Sequence, residues 1–196
     1  MSAPEKEGYT AADCSQTGYG MPIAGAVVVL SPKVLPLEHP GQLFYCTGGN
    51  GSLPNPIGRS AFMVSLSTGE HCRWWRSDVI GVLKPELLPD SAKLHLSQIR
   101  PEGARDLKTN TPEFSGYCFL EDGRYSAGVW LCSPQEVMDY VEMQKPYQHR
   151  IMICDREDFC VYEMVDGRLV YPTREALDAF LSQRKEPEQT GGINMT

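Results

Sequence analysis

Neither a CxxC nor an HxxxH pair occurs in the 196 residues. Structural and catalytic zinc sites are built from ligand pairs at such spacings, so no metal site is expected. No apolar run approaches the roughly 18 residues that a membrane helix needs, and no membrane partner is expected. The first ten residues, MSAPEKEGYT, lack the charged-then-apolar order of a secretory signal. A glycine-rich stretch is present, but no lysine and no helix start follows it, as a phosphate loop requires. No cofactor motif is found. The cysteines number seven, an odd count, and they fall mostly inside apolar runs. A disulfide framework is usually even and loop-rich. Free thiols packed as small hydrophobes are therefore expected, in a cytoplasmic protein.

What the chain does have is enough apolar residue for a core, 41%, and a lopsided charge. Residues 1–112 carry ten Lys and Arg against ten Asp and Glu, whereas residues 113–196 carry eight against fifteen. The entire net charge of −7 thus resides in the second part. Negative surface repels a phosphate backbone and suits a basic protein face. It also serves plain solubility.

The pattern divides the chain into a β-rich domain over 9–96, a linker over 97–114, an α+β domain over 115–185 and a polar tail over 186–196. In the first domain Thr10 is placed to cap a short helix over 11–16. The run AVVVL at 26–30 is continuous and β-branched, which suits a strand buried on both faces. Strands follow at 43–46 and at 61–66, where Phe62, Val64 and Leu66 share a side. After the Thr68-Gly69 turn, 72–83 returns as one strand, straight or bent. This predicts a small curled antiparallel sheet or barrel. In the second domain, strands at 117–120 and 127–132 precede a helix started by Ser133, Pro134 and Glu136, residue types suited to the cap, the first helical position and a reach back to it. Strands at 150–154, 159–165 and 169–171 follow, and Thr173 caps a last helix with Leu177, Phe180 and Leu181 inward. The order ββαβββα predicts helices on one face of an antiparallel sheet. The fold class expected is α+β.

The densest chemistry lies in Arg73-Trp74-Trp75-Arg76. Strand side chains alternate between faces, so the two indoles cannot both point inward. If Trp74 packs inside with Cys72, then Trp75 and Arg73 share the other face. An exposed Trp beside Arg is the usual anchor of a protein contact, and Arg76 is expected to flank it in solvent. The loop at Gly48, Gly49 and Asn50 and the acidic turn at Asp155, Glu157 and Asp158 are further candidate contact sites. A second acidic turn holds Glu121 and Asp122. Two alternatives stand beside this reading. A cysteine enzyme would use Cys46 or Cys72 with His71 as base. A single-stranded nucleic-acid binder would stack bases on Trp74 or Trp75, with Arg59 and Lys84 extending the patch.

The strings LFYCTGGNG, SLSTGEHCRWWRSDVIGVL and VMDYVEMQKPYQHRIMICDREDFCVYEMVDGRLVYP resemble small accessory proteins carried by conjugative elements and phages of bacteria. The resemblance spans most of residues 9–184. That group has no established enzymatic motif, so no residue role is carried over. Such proteins are often anti-defence factors, anti-restriction or anti-CRISPR, that bind and block. The resemblance therefore implies a protein partner, a nuclease effector or its nucleic-acid complex, held without catalysis.

Overall fold

The computed structural model describes residue 6 and residues 8–35, 41–101 and 110–183. The polar tail, the middle of the expected linker and the side chains of Phe180 and Leu181 lie outside the described residues. The α+β class holds: a six-stranded and a five-stranded antiparallel sheet are accompanied by three helices among the described residues.

The first sheet contains β1 (Cys14–Thr17), β2 (Val27–Leu30), β3 (Leu43–Gly48), β4 (Ser60–Ser65), β5 (His71–Trp75) and β6 (Val79–Leu83) in the order β1-β6-β2-β3-β4-β5. Two expectations change here. Residues 11–16 do not form a helix. Ala11–Asp13 makes one 3-10 turn, and the chain then pairs with β6 through Cys14, Gln16 and Thr17. A helix this short is marginal without packing, and strand pairing outcompetes it. Thr10 donates its hydroxyl to Asp13 Oδ2 (3.1 Å) instead of accepting a bond. The expected return strand over 72–83 is two strands, broken by a 3-10 turn at Arg76–Asp78 that Asp78 fixes by accepting the Trp75 N–H (3.1 Å).

That break forces the sheet to curl. In a flat sheet β5 and β6 would lie four strand spacings apart, about 19 Å. Only four chain steps join Trp75 to Val79, a reach of about 14 Å at most. The inside of the curl is filled by Ile23, Val28, Leu30, Phe44, Cys46, Ala61 and Met63, with Trp74 packed against them. The outside carries Val27, Val29, Tyr45 and Val64, covered by Leu88, Ala92 and Leu96 and by Tyr147 from the second part. All four β2 side chains are fully buried, as the unbroken apolar run requires.

Helix α1 (Asp90–Leu96) follows a 3-10 turn at Pro85–Leu87. The second sheet contains β7 (Phe114–Phe119), β8 (Val129–Leu131), β9 (Arg150–Cys154), β10 (Cys160–Val165) and β11 (Arg168–Tyr171) in the order β11-β10-β9-β7-β8. Helices α2 (Pro134–Gln144) and α3 (Arg174–Gln183) complete the order ββαβββα. Val137, Tyr140 and Val141 of α2 pack on Cys118, Ile151 and Ile153. Ser133 caps α2 by accepting the Glu136 N–H (3.2 Å), and Glu136 reaches back one residue further than a standard box, to the Cys132 N–H (2.8 Å).

The two sheets are bonded to each other by buried polar groups. The Tyr147 hydroxyl accepts the Val27 N–H (3.0 Å). Gln144 and Gln148 donate to the carbonyls of Leu96 and Lys93 (2.9 Å each), and Tyr140 donates to that of Ser97 (2.8 Å). The carbonyls of Leu96 and Lys93 also accept the backbone N–H groups of Ile99 (2.9 Å) and Ser97 (3.0 Å), so the side chains of and just beyond α2 add a second bond to each.

Candidate functional site

Hairpin β4–β5 positions the exposed aromatic and cationic groups. Its register pairs Ser60 with Trp75, Phe62 with Arg73 and Val64 with His71, and directly opposed residues share a face. That face points outward. Ala61 and Met63 pair with Trp74 and Cys72 on the inner face. Trp74 is half-buried, edge-on to Phe44 at 6.0 Å. Trp75 is 56% exposed and Phe62 52%. The alternation read from the sequence is therefore the one the chain adopts.

Beside this face lies a cavity of ≈ 970 Å³ whose lining includes Phe62, His71, Arg73, His95, Gln98 and Arg100. Among the described residues no Asp or Glu lines it, although the chain carries net charge −7. Two arginines and two histidines thus line the space. Arg100 is the most informative. Its Nε and Nη2 are buried and have no hydrogen-bond partner among the described residues. Leaving such donors unpaired costs about 1–3 kcal/mol, more when charged. His95 holds Leu66 O at 2.7 Å through Nδ1. A carbonyl only accepts, so Nδ1 carries the proton in this bond.

Arg76 departs from expectation. It is 3% exposed, and its Nη2 donates to Gly18 O (2.8 Å) and Met21 O (3.0 Å). Burial lowers its pKa. The turn after β5 directs this side chain inward, where it ties the 18–21 loop to the sheet, so it is no contact residue. Lys84 is likewise engaged, with Ala12 O at 2.9 Å.

The cysteine–histidine constellation does not assemble. Cys46 is fully buried inside the curl, while His71 is on the outer face. Cys72 is half-buried on the inner face, donates to Met63 O (3.5 Å), and burial raises its pKa. A raised thiol pKa works against a nucleophile. The glycine loop serves packing. Gly48 is buried in β3, and a Cβ on Gly51 would stand 2.4 Å from the Ser60 carbonyl carbon, which only glycine permits. Gly49 is partly covered and Asn50 is exposed.

In the acidic turn, Asp155 Oδ1 accepts the N–H groups of Glu157 (3.0 Å) and Phe159 (2.9 Å). It therefore shapes the turn, while Glu157 and Asp158 are exposed. None of the three lines the cavity. At the other acidic turn, Asp122 pairs with Arg124 at 2.6 Å. Among the described residues no three His, Cys, Asp or Glu side chains gather as they would around a metal. No helix among them is long and apolar enough to cross a membrane.

Sequence reasoning did not bring His95, Gln98 and Arg100 to this site. Gln98 and Arg100 fell in the stretch read as a linker and His95 in one assigned no element, and only the docking of α1 against the sheet sets them beside Arg73. Comparison of the chain with protein-family models, curated proteins and solved structures finds no match.

Proposed function

We propose that the chain is a non-enzymatic binding protein that occludes a protein partner through the outer face of β4–β5 and the adjoining cavity. In the setting implied by the mobile-element resemblance, the partner is a defence nuclease and binding blocks it. One observation carries the reading: Phe62, Arg73 and Trp75 are presented together beside a cavity whose lining, among the described residues, includes Arg73, Arg100 and two histidines and no carboxylate. Aromatic and arginine anchors dominate protein contacts, and the cationic lining suits an acidic partner segment. The test is co-elution with purified restriction and CRISPR effectors of a bacterial host. The wild-type chain forms a stoichiometric complex. The Arg73→Glu/Trp75→Ala variant loses roughly 30-fold or more in affinity, the scale of about 2 kcal/mol per hot spot, with its thermal unfolding unchanged. No complex with any effector refutes the proposal.

The same exposed indole and cationic lining favour a second reading, stacking of single-stranded nucleic acid. Tryptophan fluorescence titrated with a short oligonucleotide at low salt separates the two. Quenching that Trp75→Phe abolishes supports nucleic acid, and a flat trace discards it.

A further inference from the structure

We infer that Cys154 and Cys160 form an oxidation site, closing as a cross-strand disulfide that pins the acidic turn between β9 and β10. The two residues are directly opposed in the antiparallel ladder, so their side chains share a face. The next rung is closed by the Asp155 N–H donating to Phe159 O (2.9 Å). Hydrogen-bonded and non-hydrogen-bonded pairs alternate, which puts the cysteines at a non-hydrogen-bonded position with Cα atoms about 4.5 Å apart. That separation lies within the roughly 4.4–6.8 Å a disulfide spans. Both thiols are free. They also differ in access: Cys154 is 5% exposed, whereas Cys160 is partly open to solvent.

The difference in access orders the chemistry. With a disulfide oxidant such as oxidised glutathione, the Cys160 thiolate attacks one glutathione sulfur and the other glutathione leaves as its thiolate. A mixed disulfide now sits on Cys160. The Cys154 thiolate then attacks Cys160 Sγ, and the second glutathione departs. The two protons lost by the protein thiols end on the two glutathiones, and the protein pair is oxidised by two electrons. Burial, with nearby carboxylates adding to it, raises both thiol pKa values, so exchange speeds up as pH rises. The product fixes the turn that carries Glu157 and Asp158, whatever that turn contacts.

The native full-length chain is treated with oxidised glutathione at pH 8, acid-quenched and digested with trypsin. Cleavage after Arg156 divides the turn, so a Cys154–Cys160 bond appears as peptide 151–156 joined to peptide 157–168, about 2 Da lighter than the two reduced peptides together. Cys154→Ser stops at a glutathione adduct on Cys160, and Cys160→Ser yields no linked pair. The inference is overturned if the two peptides come back separately from the native protein, or joined only after treatment in urea. The readout is independent of partner binding.

Discussion

Replacing Gln144 by leucine tests whether the two sheets depend on each other for stability. Gln144 is fully buried. Its Nε2 donates to Leu96 O at 2.9 Å, and its Oε1 accepts from Gln148 Nε2 at 3.1 Å. Leucine keeps most of the volume but removes both bonds, each worth about 1 kcal/mol net, and leaves one N–H of the buried Gln148 amide without its acceptor at a further cost of about 1–3 kcal/mol. Burial of the added apolar surface returns about 1 kcal/mol. The net loss is therefore about 2–4 kcal/mol, or a fall in Tm of roughly 5–15 °C for a chain of this size. Urea unfolding followed by far-UV circular dichroism measures it, with the m-value held constant. Gln148→Leu alone and the double variant complete a cycle. Because each single variant already removes the shared Gln148–Gln144 bond, the loss in the double variant should fall short of the sum by at least about 0.5 kcal/mol. A single-variant loss under about 0.5 kcal/mol would refute the reasoning, because the polar seam would then contribute no more than solvated groups do.

Gly51→Ala should destabilise by more than about 2 kcal/mol, read by the same unfolding curve, because the added methyl meets the Ser60 backbone at 2.4 Å. The Lys6 ammonium, 2.6 Å from Asp13, together with the Thr10 N–H, holds the Asp13 carboxyl down from 3.8 to about 2. Its contribution to stability is complete above the unfolded value and is lost as pH falls from about 4 towards 2. Asp13→Asn should flatten that part of the stability–pH curve. Burial pushes the Cys118 thiol up to about 12, so Cys118 should resist iodoacetamide in the native protein at pH 8 and react only on unfolding.

The second sheet was the more legible because its signals are local. Ser133 and Pro134 start α2, and Asp166 and Gly167 take the positive φ values (49° and 72°) of a tight hairpin. In the first sheet the hard element was α1. Its signal was present as Leu88, Ala92, Leu96 and Ile99, spaced four, four and three apart and all buried, which is helical periodicity. Pro85 and Pro89 drew attention to the turns instead. The division of 72–83 into β5 and β6 had no such local mark. The crossover places β6 beside β2 and β1, a non-local pairing that sequence periodicity does not encode.

Arg73, Trp74, Trp75 and Arg76 show where strand reasoning succeeds and where it stops. While the strand continues, alternation fixes the outcome: Trp74 turns in towards Phe44, and Arg73 and Trp75 turn out. The strand ends at Trp75, and with it the rule. Arg76 begins a 3-10 turn, so its direction follows from what the turn approaches, the carbonyls of Gly18 and Met21. Two chemically identical arginines three positions apart thus divide into a surface charge and an internal staple. The consequence for the proposed contact surface is specific. Its second cation is Arg100, contributed from beyond α1, so the cationic face exists only while α1 stays docked on the sheet. Weakening the Gln144 seam should therefore reduce partner affinity as well as stability. Gln144→Leu should lower binding at a temperature where its circular dichroism is still native, whereas a variant of equal instability placed in the α2–β9 core, such as Ile153→Ala, should not. Equal losses from both variants would mean that α1 docking has no special part in the surface.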